Sequence, residues 1–184
     1  MTKKIIAVGA SNSKRSINKR FAQFTANQLL NVEVTVLDLN DFDLPMYSID
    51  FEKEFGIPKG VKDFSEIIKN SDAIVISVAE YNGLHTAAFK SFWEWLSRIP
   101  RDKPLNIWAD KAMFLLSVTT SRRADSHVLK LSKEMFPMFG AKIISTFFLP
   151  SFNHFFRQDQ ITEPAYLQDF KTQLDKFQTH LNNQ

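Results

Sequence analysis

Cysteine is absent from all 184 residues. Its absence excludes disulfides, thiolate metal sites and a cysteine nucleophile together, and it fits a reducing compartment, so the expected location is the cytoplasm. Long hydrophobic runs are missing too. Met1-Thr2-Lys3-Lys4 leads into the short apolar stretch Ile5 to Val8, well below the ~20 residues of a membrane helix or the ~7–15 of a secretory signal core. No membrane partner is expected. Lysine and arginine number 23 against 20 acids, a formal net charge of +3, and they are interspersed with acids in place of one basic run, so no nucleic-acid partner is expected. Glycine is scarce, with 5 in the chain. Neither G-x-G-x-x-G nor Gly-Lys-Ser/Thr occurs, which disfavours a Rossmann dinucleotide site and triphosphate chemistry. His127, His154 and His180 show no metal-ligand spacing, and no metal is expected.

What is present describes an ordinary globular chain, with 44% hydrophobic and 23% charged residues. The length suits one domain spanning residues 1–184. Eighteen phenylalanines against three tyrosines point to extensive packing or to an apolar oligomer interface.

Short β-branched runs alternate with amphipathic helical patterns. Lys4 to Val8 reads as a strand, and Ile17, Phe21, Phe24 and Gln28/Leu29 mark the helix after it. Val32 to Leu37 is a second strand, and Pro58 to Asn70 carries Val61, Phe64, Ile67 and Ile68 on one helical face. Ala73 to Val78 is a nearly continuous apolar run, the pattern of a strand covered on both faces. A helix ending near Arg98 before Pro100, a strand from Ala112 to Ser117, a helix between Ser126 and Met138, a strand from Lys142 to Leu149 and a helix from Pro164 to Leu181 complete the series. Five strands alternating with five helices predict an α/β fold with a doubly wound parallel sheet. The loops Asp38 to Ile57 and Pro150 to Glu163 are candidate lids or interface arms.

In such sheets ligands bind beyond the carboxyl ends of the strands where strand order reverses. The first of these loops, Gly9 to Asn18, contains three serines and two asparagines ahead of a helix. Helix-start amides and hydroxyls both donate to anions, so the segment suits a phosphate monoester, although Ser16 capping the helix in a solvated loop gives the same pattern. After the third strand comes Glu80-Tyr81-Asn82-Gly83, where Gly83 can take a positive φ and let the backbone approach a planar ring. A polar turn with a half-buried tyrosine is the alternative, and His85 reads as a rim residue. After the fourth strand, Thr119, Thr120 and Ser121 offer hydroxyls, followed by Arg122 and Arg123, which suit either phosphate pairing or a solvated turn. Lys14 and Arg15 read in the same two ways.

Ser11-x-Ser13-x-x-Ser16-x-Asn18 resembles the flavin-phosphate loop of the NAD(P)H-dependent FMN reductase family, with Ser13 where many members have arginine. Glu80-Tyr81-Asn82-Gly83, continued by Ala88-Phe89-Lys90 and Trp93-Glu94-Trp95-Leu96-Ser97-Arg98, is similar to that family's second signature, with Ala79 and Thr86 replacing its prolines. The third loop lacks the family's glycines. The resemblance runs from Lys4 to the last helix. It implies a flavodoxin-like three-layer α/β/α sandwich with a five-stranded parallel sheet, order 2-1-3-4-5. It also implies FMN as cofactor, NAD(P)H as co-substrate, and a small-molecule acceptor: a quinone, azo compound, free flavin or metal ion. FMN would meet Ser11, Ser13, Ser16, Ile17, Asn18, Glu80, Tyr81, Asn82, Gly83, Thr119, Thr120 and Ser121. No side chain is expected as an obligatory acid or base, since hydride chemistry belongs to the flavin. A flavodoxin-like electron carrier or a degenerate, non-enzymatic binding protein is the alternative.

Phe89, Phe92, Trp93 and Leu96 form one stripe of the helix after the second loop, and Ala88, Phe92, Trp95 and Ile99 form another. A surface helix needs one stripe. The second suggests a homodimer or homotetramer, or coverage by a loop of the same chain. Phe152, Phe155 and Phe156 line a neighbouring subunit's pocket or pin the last helix to the sheet.

Overall fold

The computed structural model describes residues 2–42 and 44–184. Its main sheet has five parallel strands: β1 (Lys3–Ala10), β2 (Val32–Leu37), β3 (Ala73–Val78), β4 (Ala112–Val118) and β5 (Lys142–Leu149). They lie in the order β2-β1-β3-β4-β5. This is the expected flavodoxin-like arrangement, and order reverses between β1 and β3. Strands β3 and β4 are buried at every residue, whereas β2 and β5 at the edges alternate. Helices on both faces remove the polar alternation of the inner strands, as parallel sheets require.

Among the described residues, six helices of seven or more residues cover or flank this sheet: α1 (Ile17–Asn27), α2 (Ile49–Phe55), α3 (Lys59–Asn70), α4 (Ala87–Ser97), α5 (His127–Met138) and α6 (Pro164–Asn182); a single helical turn (Phe152–Phe155) follows β5. The period of two sends Ile6, Val8, Ile74 and Ile76 into one core with α3, α4 and α5. Ile5, Ala7, Val75 and Phe114 enter a second core with α1 and α6. Much of the phenylalanine is spent in the second core. Phe21 has Phe147, Phe152, Phe156 and Phe170 at centroid separations of 5.8, 6.2, 5.4 and 5.8 Å, each pair adding ~0.5–1.5 kcal/mol beyond area burial. Phe152 and Phe156 therefore pack on α1 in the core that also holds α6, and both are buried within the chain.

The segment from Asp38 to Ile57 contains a 3-10 turn (Leu39–Asp41) and α2. Ser48 Oγ accepts from Phe51 N to start α2, and Gly56 at φ 73° ends it. This segment covers the second apolar stripe of α4. Trp95 Nε1 donates to Pro45 O at 2.8 Å, Tyr47 N donates to Ser91 Oγ at 2.8 Å, and the Tyr47 ring meets Trp95 edge-on at 4.9 Å. Trp95 is fully buried without a second subunit. The stripe is thus accounted for inside the chain, and it gives no argument for an oligomer.

Among the described residues, no helix is long and apolar enough to cross a membrane.

Candidate functional site

Gly9 sets the first loop in place. A β-carbon on it would lie 2.4 Å from Lys19 Cα and 2.5 Å from Lys19 N. Only a residue without a side chain lets α1 approach β1 this closely, so glycine here fixes the position of the helix start relative to the strand end. Ser11 Oγ accepts from Ser13 N at 3.1 Å, Ser13 O accepts from Ser16 N at 3.1 Å, and Ser16 Oγ accepts from Lys19 N at 3.2 Å. Ser16 is therefore the N-cap, and its O–H remains able to donate. The N–H groups of Ile17 and Asn18 precede the first intrahelical bond, and no acid stands in the first turn. The helix dipole and these amides together favour an anion.

Asn18 has a different task. Its Oδ1 accepts from Ser77 Oγ at 2.7 Å and Val118 N at 3.1 Å, and its Nδ2 donates to Val118 O at 3.2 Å. The buried amide clamps the ends of β3 and β4 to the start of α1, leaving its backbone N–H as its part in the loop.

The second loop is a two-residue β-hairpin, Glu80–Tyr81 pairing with Leu84–His85. Asn82 and Gly83 have φ of 54° and 84°, the type I′ geometry that Asn-Gly favours. Their positive φ makes the turn. Thr86, in place of a family proline, caps α4 by accepting from Phe89 N and donates to Ala10 O at 3.1 Å, tying this loop to the first. Tyr81 is 55% exposed, free to present its ring beside the first loop.

The Glu80 carboxylate turns inward, with 3% of its side chain exposed. Oε2 accepts from Ser126 Oγ at 2.9 Å and Val128 N at 3.2 Å, at the start of α5. Oε1, which accepts no other hydrogen bond among the described residues, faces the Arg123 guanidinium. Burial pushes this carboxyl up, but the Ser126 hydroxyl, the Val128 amide and Arg123 together hold it below the ordinary glutamate range. Glu80 thus locks the second loop to the third, and its charge is neutralised internally, so it presents no bare anion to the site. Sequence alone could not pair residues 80 and 123.

The third loop compensates for its lack of glycine with side-chain hydrogen bonds. Thr119 Oγ1 accepts from Ser121 N at 3.2 Å, and Ser121 Oγ accepts from Arg123 N at 3.4 Å. Thr119 N donates to Leu149 O, Ser151 N to Ser121 O and Phe152 N to Thr119 O, at 3.1, 2.8 and 2.9 Å.

These loops enclose a cleft of about 270 Å³ at the reversal of strand order. Its walls include Ser11, Ser13, Ser16, Ile17 and Asn18 from the first loop. Glu80 and Tyr81 come from the second, Thr119 and Thr120 from the third. Three residues expected there do not line it: Asn82 and Gly83 form the hairpin tip, and Ser121 spends its hydroxyl and carbonyl inside its own loop and on Ser151. Arg15, Ala79 and Val118 join the lining instead. A donor set of hydroxyls, amides and one arginine, with the nearby carboxylate already paired, fits a phosphate ester at α1 and a ring beside Tyr81. A separate cleft of about 310 Å³ lies away from this site, at the amino ends of β3 and β4. Its Arg101 is engaged by Leu96 O and Ile99 O at the end of α4.

His85 is not a rim residue. It is half-buried against Phe89, Trp93 and Phe136, and Nε2 lies 2.8 Å from Ser132 Oγ, whose own proton goes to Val128 O. Burial, with Lys90 nearby, lowers its pKa to about 4. The folded protein resists taking up this proton, whereas an unfolded histidine accepts it below about 6.5. This group therefore costs stability as pH falls from ~6.5 towards 4 and costs none above that range. A His85→Phe variant is expected to show a shallower decline in melting temperature between pH 6.5 and 4 than the parent; identical slopes would refute the assignment.

A five-stranded parallel sheet in this order, with a helix start free of acids at its reversal point, defines a flavodoxin-like protein. The family described as NADPH-dependent FMN reductase matches residues 3–154, and the chain belongs to that family. A quinone reductase of Escherichia coli (strain K12) is 40% identical over 63 residues, covering 34% of this chain and 33% of that protein. The chain spans about a third of the length of such curated quinone reductases. Among solved structures, the flavoenzyme NAD(P)H:(acceptor) oxidoreductase from Paracoccus denitrificans superposes with a TM-score of 0.78 at 18% identity, covering 98% of each chain. An azoreductase from Bacillus anthracis gives 0.62 at 17% identity, over 99% of this chain and 100% of that one. These two likenesses bear out the fold, and the family match bears out the resemblance read from the two loops.

Proposed function

We propose that the chain binds FMN in the cleft between its three loops and uses NAD(P)H to reduce a small acceptor such as a quinone, an azo compound, free flavin or a metal ion. The observation that carries this reading is the convergence of the three loops on one cleft, with an acid-free helix start on one side. Ser11, Ser13, Ser16 and the amides of Ile17 and Asn18 hold the phosphate. Tyr81, Thr119 and Thr120 border the ring. Bound flavin supplies hydride acceptance and return. The protein positions it, shields one side from water, and keeps Glu80 from repelling it.

Exposed Met46, Ile49 and Phe55 on the covering segment, with Leu84 on the hairpin tip, supply apolar surface for a homodimer. Pairing of such dimers would give a tetramer; sedimentation distinguishes these states. The lack of cysteine suits a cytoplasmic enzyme.

Purified protein titrated with FMN is expected to quench flavin fluorescence at one equivalent per chain, and anaerobic NADPH is expected to bleach the bound flavin. A protein that leaves the FMN spectrum unchanged and shows no flavin-dependent NAD(P)H oxidation would overturn the proposal.

A further inference from the structure

A second cleft adjoins the first and is larger, about 600 Å³ against about 270 Å³. It lies between the third loop and the segment after β5, and Thr120 belongs to both clefts. The two arginines of the third loop have different fates. Arg123 is bound to Glu80, while Arg122 is exposed, lines the second cleft, and has no described carboxylate within ion-pairing distance. The same cleft is lined by the Phe155 and Tyr166 rings, 5.3 Å apart and inclined at 49°, each only half-buried. Ser151 and Asn153 supply polar groups to the same cleft.

The cleft has a fixed floor. Ser151 holds a left-handed conformation at φ 47° and donates to Ser121 O, and Phe152 N donates to Thr119 O. Holding a non-glycine residue in that region requires surrounding contacts to impose it. A free guanidinium, an amide and a hydroxyl beside two aromatic rings complement a phosphorylated purine nucleoside: the guanidinium forks onto phosphate oxygens and the rings stack on the base. A dinucleotide whose nicotinamide reaches the first cleft passes Thr120 to place its adenosine half in the second.

We infer that this second cleft binds the adenosine 2′-phosphate end of NADPH and that Arg122 is the residue selecting NADPH over NADH. The inference rests on the proposed FMN site for its direction of approach, but its own cleft is tested separately. No bond is made or broken at Arg122; its effect is on binding.

Isothermal titration of the purified protein, with and without FMN, with adenosine 2′,5′-bisphosphate and adenosine 5′-monophosphate tests it. The bisphosphate is expected to bind about tenfold more tightly or better, the scale of one charge-assisted contact. Arg122→Gln is expected to abolish that preference and Arg122→Lys to retain part of it, because lysine keeps the charge but not the fork. In turnover, the NADPH/NADH ratio of kcat/KM is expected to fall about tenfold in Arg122→Gln, through KM. Equal affinity of the parent for the two probes, or a preference that survives in Arg122→Gln, overturns the inference. FMN binding without bisphosphate preference sinks this cleft alone. Bisphosphate preference without FMN binding sinks the flavin reading and leaves this cleft standing.

Discussion

A Gly9→Ala variant is expected to be less stable by about 3 kcal/mol, melting about 6–12 °C below the parent, and to bind FMN far more weakly. Gly9 is not at a positive φ, so its role is not backbone freedom. The added methyl would meet the Lys19 backbone at 2.4 and 2.5 Å, and a helix backbone cannot rotate aside as a side chain can. The chain must move α1 away from β1. That movement also displaces Lys19, which pairs with Asp38 beyond β2, and Asn18, which clamps β3 to β4. The helix amides proposed to receive the phosphate move with them, so on that proposal stability and FMN affinity should fall together. Thermal unfolding and fluorescence titration of the same preparation check this. A variant that melts within about 2 °C of the parent, less than 1 kcal/mol for a chain of this size, would show that the helix start is not held by contact with Gly9.

The elements legible from sequence are those whose own pattern carries the signal. The buried run at Ala73 to Val78 and the stripe of α6 need no distant partner to be recognised, and Ser16 and Thr86 stand at helix starts as capping residues do. Helix α2 was not legible as a helix, although Ser48 and Gly56 frame it, because seven residues with no buried member carry too weak a period. Its order comes from the docking of its segment on Trp95, a tertiary effect, and the same docking explains the second stripe of α4. Asn82-Gly83 suits a loop that approaches a ring, but Asn-Gly is also the strongest short hairpin signal, and the hairpin is what forms. The first loop was legible as a helix start with free amides because a helix start is local. The binding of Glu80 to Arg123 and the start of α5 was not, since it joins side chains over 40 residues apart through space.

That clasp supports the second large expectation. Arg123→Met is expected to destabilise the protein by about 3 kcal/mol at pH 7, the low end of the range for breaking a buried pair, because Arg123 is itself 37% exposed and water reaches its side of the contact. The loss comes from the carboxylate left behind. Glu80 would keep its two hydrogen bonds from Ser126 and Val128 but lose the cation that offsets its burial. In the parent the folded carboxyl ionises below the ordinary value, so its contribution is present above about 4.3 and is lost as pH falls through the folded value. In the variant the uncompensated charge disappears on protonation. The gap between parent and variant should therefore be widest at neutral pH and close as pH falls through the parent's lowered folded value. Glu80→Gln combined with Arg123→Met removes both charges at once and is expected to recover most of the loss, leaving about 1 kcal/mol for the altered hydrogen bonds. Denaturant unfolding from pH 3.5 to 8 on the parent, the single variant and the double variant separates these cases. A deficit independent of pH, or a double variant no more stable than Arg123→Met, would mean that Arg123 acts through its packing and not through the charge it balances. Where the clasp acts as described, FMN affinity should follow the same order, since Tyr81 and Thr119 to Thr120 hold their relative positions through Glu80 and Arg123.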